Sequence, residues 1–201
     1  MRMRFLFEKR GWAAFIRHVE VPQLLGRMAR RAGLDVEQTQ GFSPHPHIVM
    51  GPALPVGVLG LREVSEMFLS CPLGGEEFVA AMNAVAPSGL RLLEAAEVGE
   101  GPGLGKLITA ARYLIAPRES SKLETMAESC SAVFGADMPS LEVNEGWLAL
   151  TLLNPSSLGL GHLVRHMVAG GSLEGWPQVK AVRLDLGLWR DGTYQAFGCH
   201  V

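Results

Sequence analysis

One pattern constrains this chain more than any other: the same order of strand and helix signals occurs twice, on either side of a glycine-rich joint. The opening segment alternates, with Met3, Phe5 and Phe7 on one face and Arg2, Arg4 and Glu8 on the other, which predicts a half-buried strand. Val21, Leu24, Leu25, Met28, Ala29 and Ala32 follow helical spacing, with Pro22 in the first turn and Gly33 as the stop. Ile48-Val-Met50 and Val64 to Leu69 read as strands, residues 78–86 as a helix, and Leu90 to Val98 as a further strand. Beyond Gly99-Glu-Gly-Pro-Gly-Leu-Gly105 the order recurs. A strand is expected over Ala111 to Ala116, then a helical stripe from Leu123 to Phe134. Ser140 to Val143 and Trp147 to Leu153 form a hairpin pattern across Asn144-Glu-Gly146. A helix over Leu160 to Val168, capped by Ser156 or Ser157, and a strand over Val179 to Leu188 complete it, with Thr193 to Phe197 turned back by Arg190-Asp-Gly192. Each half reads β-α-β-β-α-β, so the expected fold is α+β: two ferredoxin-like units in tandem, at 1–99 and 109–201, joined by a glycine-rich linker at 100–108.

Composition supports packed cores. Hydrophobic residues make up 48% of 201, too many for a disordered chain, and no run approaches the roughly 20 apolar residues of a membrane span. Cys71, Cys130 and Cys199 are too far apart for a small disulfide scaffold or a cysteine metal site. A soluble, cytoplasmic protein without membrane contact is expected.

The formal charge of −2 conceals an asymmetry. Residues 1–31 hold eight basic side chains against Glu8 and Glu20, a local charge of +6 that leaves −8 on the remaining 170 residues. Clustered arginines favour phosphates, carboxylates or an acidic protein face. Arg2, Arg4, Arg17, Arg27, Arg30 and Arg31 are therefore candidate polyanion ligands, with Phe42 placed to stack a base and His47 beside it. Pro44-His-Pro-His47 is stiffened by its prolines, and a stiff exposed loop presents side chains at little ordering cost. Imidazoles exchange protons near neutrality, which makes His18 and His45 the candidate catalytic residues.

Other motifs fail on spacing. Gly105-Lys106 lacks the earlier glycine of a phosphate loop, Glu100 standing there, and Leu107 replaces the hydroxyl residue. His162 and His166 could offer two zinc ligands, but no acidic partner accompanies them and Arg165 lies between, so no metal or cofactor is expected.

Gly41-Phe-Ser-Pro-His-Pro46 followed by Gly51-Pro-Ala-Leu-Pro-Val-Gly-Val58 resembles the signature of the bacterial radical-SAM-linked family, a domain of unknown function. Arg4-Phe-Leu-Phe-Glu-Lys9, Phe15-Ile-Arg-His-Val-Glu20 and Arg30-Arg-Ala-Gly33 fit in the same order. The chain departs from the pattern at Arg17-His-Val-Glu20, where the family usually has Ser-His-Leu-Asp, and at His47, where it usually has lysine. The resemblance implies a radical SAM enzyme as partner, encoded nearby or fused, and a compartment; it assigns no reaction, and whether the chain is an enzyme stays open.

Three functions are compatible with these residues. The first is an accessory module that binds RNA or another polyanion for the radical SAM enzyme. The second is a protein–protein interaction domain docking on that enzyme. The third is a metal-independent endoribonuclease with His18 as general base, His45 as general acid and Gly159/Gly161 cradling a phosphate. Convergence of the early arginines and of His18, His45 and His47 in one basic cleft would favour the polyanion and ribonuclease readings, and dispersal of those histidines would leave only the interaction domain.

Overall fold

The strand and helix patterns become nine strands and five α-helices in a computed structural model that describes residues 1–200. The first half supplies β1 (Arg2–Lys9), α1 (Val21–Arg31), β2 (Ile48–Met50), β3 (Leu59–Phe68), α2 (Gly75–Ala84) and β4 (Leu90–Glu97). The glycine-rich joint carries a short helix, α3 (Leu104–Leu107). The second half supplies β5 (Ala110–Pro117), α4 (Leu123–Phe134), β6 (Ser140–Asn144), β7 (Trp147–Leu153), α5 (Leu160–Ala169), β8 (Val179–Arg190) and β9 (Thr193–Ala196).

The architecture is mixed α/β. All nine strands belong to one mixed sheet in the order β4-β1-β3-β8-β5-β7-β6, with β2 alongside β3 and β9 alongside β8. Every pairing is antiparallel except β3 with β8, where Leu59 opposes Val182 and Gly60 opposes Arg183. That short parallel contact is the seam between the halves.

Two apolar clusters fill the interior. Met3, Phe5 and Phe7 of β1 pack with Leu25 and Met28 of α1 and Phe78 and Met82 of α2. The other cluster centres on β5, β7, α4 and α5, and reaches across to Leu6, Val64 and Ala96. The opening strand is therefore not half-buried as its alternation suggests. It lies between β3 and β4, and Phe197 from the far end of the chain covers Arg4 on its second face, the guanidinium 5.1 Å from the ring centroid. Alternation records which side chains are apolar; it does not record that a later segment returns to cover the polar ones.

Local differences have local causes. β3 begins at Leu59 rather than near Val64, because Gly60 finds partners in both Lys9 and Arg183. The α5 cap is Gly159, whose N–H donates to His162 Nδ1 at 3.3 Å, while the Ser157 hydroxyl turns back to the Asn154 carbonyl. The joint is packed as well as glycine-rich, since Leu104 and Ile108 are fully buried.

Candidate functional site

At the seam, an arginine is drawn into the interior. Arg183 is completely buried on β8 and reaches Glu63 on β3, Nε donating to Oε1 at 2.9 Å and Nη2 to Oε2. Its terminal nitrogens also donate to the carbonyls of Pro52, at 2.8 Å, and Ala53, at 3.2 Å. A buried guanidinium needs a counter-charge and several acceptors, and this one has both. Burial opposes its charge, but Glu63 with Tyr113 beside it outweighs that and raises its pKa. Gly60 makes room for the carboxylate: a Cβ there would stand 2.6 Å from Glu63 Cγ.

Lys9 and His18 complete the cluster. The Lys9 ammonium donates to the Ile16 carbonyl at 2.6 Å, which ties β1 to the segment leading into α1. Burial lowers the Lys9 pKa, with Glu63 opposing and Arg183 reinforcing the shift. His18, half-buried, is likewise pushed down by burial, then by the cations Arg183 and Lys9, with Glu63 again opposing. Its imidazole is held neutral at physiological pH.

Above this cluster the surface is apolar. Arg183 pins the Pro52 and Ala53 carbonyls, and the Gly57 N–H donates to the Ala14 carbonyl at 2.9 Å, so the 51–57 loop and the 3-10 turn Gly11–Phe15 form one rigid unit. That unit exposes Trp12 (83%), Phe15 (63%) and Val56 (45%), with the two aromatic rings 6.4 Å apart. Two hollows flank Phe15. One, about 330 Å³, lies between Trp12, Phe15 and Leu59. The other, about 310 Å³, lies between Phe15 and Val56 of the first half and Arg118, Trp176 and Pro177 of the second.

Residues 2–144 match a family described as an uncharacterized protein conserved in bacteria (DUF2344). The chain belongs to this family. No curated protein matches it. The DUF2344 span contains Trp12, Phe15, Lys9, His18, Glu63 and the 51–57 loop, whereas Trp176 and Arg183 lie beyond it.

The arginines expected to grip a polyanion divide into two groups. Arg2 and Arg4 both bind Glu66, at 2.8 and 3.0 Å, and Arg4 is buried. Arg2 also donates to the Gly99, Gly101 and Pro102 carbonyls. Arg17 is held by Glu20 at 2.6 Å, an exposed pair in which the Glu20 pKa is lowered by its hydrogen bonds from Arg17. Arg27, Arg30 and Arg31 are exposed on α1 and form no ion pair among the described residues. Phe42 is fully exposed.

The described residues do not gather these groups around one set of partners. His47 stacks on Phe68, ring centroids 3.7 Å apart, and Phe68 is the register partner of Arg2. His45 is fixed nearby through Thr39 Oγ1 and the Ser43 carbonyl, each at 3.1 Å. His18 lies instead in the field of Lys9, at the opposite end of β1 from Arg2. His18 neighbours Lys9, Glu63 and Arg183, whereas His45 is held by Thr39 and Ser43, so the two imidazoles share no partner among the described residues.

Proposed function

We propose that this chain is an accessory module that docks on a radical SAM enzyme, using the apolar surface of Trp12, Phe15 and Val56. The observation that carries this reading is the exposure of two adjacent aromatic rings on a segment that buried polar bonds hold rigid. Soluble proteins seldom leave large apolar side chains contiguous and exposed unless something covers them, and a preformed patch loses little entropy on binding. The resemblance in the first half supplies the class of partner. The strand orders β4-β1-β3-β2 and β8-β5-β7-β6 support reading the halves as two ferredoxin-like units in tandem, 1–99 and 109–201 about the joint at 100–108. A cytoplasmic setting follows from that partner class.

Co-purification with a candidate radical SAM enzyme from the same genome, with and without ribonuclease, tests the reading. A complex that survives ribonuclease and is lost in Trp12→Ser/Phe15→Ser is expected. Absence of a complex with the wild-type protein would remove it.

A second reading, RNA or another polyanion on α1, is favoured by the unpaired guanidinium groups of Arg27, Arg30 and Arg31. Their spacing puts them on one helix face, and Phe42 offers a stacking ring on the following loop. Arg2 and Arg4 are tied to Glu66 and Arg17 pairs with Glu20 at the surface, so this reading rests on the α1 arginines.

A further inference from the structure

We infer that the two hollows flanking Phe15 receive a single segment of a partner protein that carries bulky apolar side chains together with a carboxylate, the carboxylate meeting Arg118. This rests on the docking reading and specifies what docks.

The hollows adjoin, sharing Phe15 and Gly57, and run as one groove across both halves of the chain. Their lining is apolar with one charged exception, Arg118, and includes no acidic side chain. Arg118 is exposed at the rim and forms no ion pair among the described residues. Its Nε donates to the Pro177 carbonyl and its backbone N–H to the Gln178 carbonyl at 2.8 Å, which fixes the plane of the guanidinium and leaves its terminal N–H groups without a protein acceptor. A planar cation anchored at one edge is set to take a carboxylate on the other.

The walls need no rearrangement. Arg183 holds the Pro52 and Ala53 carbonyls behind one wall, and the Gly57–Ala14 bond locks the other. The apolar lining runs from Trp176 and Val56 past Phe15 to Trp12, through both hollows, which suits a peptide with successive anchors better than a compact small ligand. Charge selects the partner: the groove attracts an acidic segment and discriminates against a basic one.

A phage-displayed library of random 12-residue peptides, panned on the full chain, tests this without presupposing a sequence. Enriched peptides should combine aromatic or leucine residues with Asp or Glu. A synthetic copy of the most enriched peptide should bind about tenfold more weakly to Phe15→Asp and to Arg118→Gln. Its Glu→Gln or Asp→Asn twin should bind the wild type and Arg118→Gln alike. Val56→Asp, at another exposed wall position, serves if Phe15→Asp loses its circular dichroism spectrum. Lack of any enrichment dependent on Phe15 or Val56 would overturn the groove, as would selection of basic or nucleic-acid-mimicking sequences. Groove-dependent peptides indifferent to Arg118 would remove the carboxylate. A radical SAM complex intact in Phe15→Asp would remove the groove while leaving the partnership, whereas no complex with the wild type removes the partnership itself.

Discussion

Arg183 and Glu63 join residues 120 positions apart, closing an ion pair across the one parallel strand contact of the described sheet. Neither group is tolerable alone in the interior, so the two halves of the chain are coupled through their charge as well as through their apolar contacts. The same guanidinium holds the 51–57 loop beneath the exposed aromatic surface, which connects the seam to the proposed docking function.

Removing one partner strands the other. Glu63→Gln is expected to lower stability by about 3–5 kcal/mol, the usual cost of an uncompensated buried charge. The double variant Glu63→Leu/Arg183→Met should recover most of that loss, since both charges disappear together. Urea denaturation of the three proteins measures the coupling.

His18 sets an acid limit. Its pKa is lowered in the folded chain, by burial first and then by Arg183 and Lys9, and is ordinary, near 6.5, in the unfolded one. Above that pH neither state takes a proton and His18 contributes no slope. As pH falls through about 6.5 the unfolded state gains a proton that the folded state refuses, so stability declines until the folded pKa is passed. His18→Asn should flatten this part of the stability–pH curve relative to wild type. Lys9→Met should move the His18 pKa upward in an NMR titration, because one of the depressing cations has gone.

Glu66 anchors two arginines while almost wholly buried. Glu66→Gln should destabilise the chain by about 3 kcal/mol or more, and thermal unfolding will record it. Affinity for RNA should not rise in this variant if Arg4 stays beneath Phe197. A rise would show that Arg4 can be recruited from the interior.

The α1 arginines give the polyanion reading a number. With three guanidinium groups on single-stranded RNA, the slope of log affinity against log salt should be about −2.1. Replacing Arg27, Arg30 and Arg31 by glutamine should abolish it in a filter-binding titration, while Arg2→Gln should not. A flat salt response in the wild-type protein would dismiss RNA as a ligand of this helix.

Element order was legible in the chain because it depends on local signals: apolar spacing at 2 or 3.6 residues, Asn144-Glu-Gly146 at the hairpin, and Gly33 after α1. Charge segregation was legible too, but its use was not. Arg2 and Arg4 look free in sequence because their partner, Glu66, is more than 60 residues away. Arg183 stood between Val182 and Leu184 in a predicted strand, and that could have marked it, since a charge set among core residues demands a partner. Trp12 and Phe15 gave no such warning. A short aromatic run is equally consistent with a core, and only tertiary packing decides that these rings stay outside.

The seam also bears on synthesis. Glu63 and Lys9 leave the ribosome long before Arg183, and the strand that must fill the place beside Gly60 is translated 120 residues after Glu63. A nascent first half would present that vacant edge and its unmatched carboxylate to the surroundings until β8 has been made.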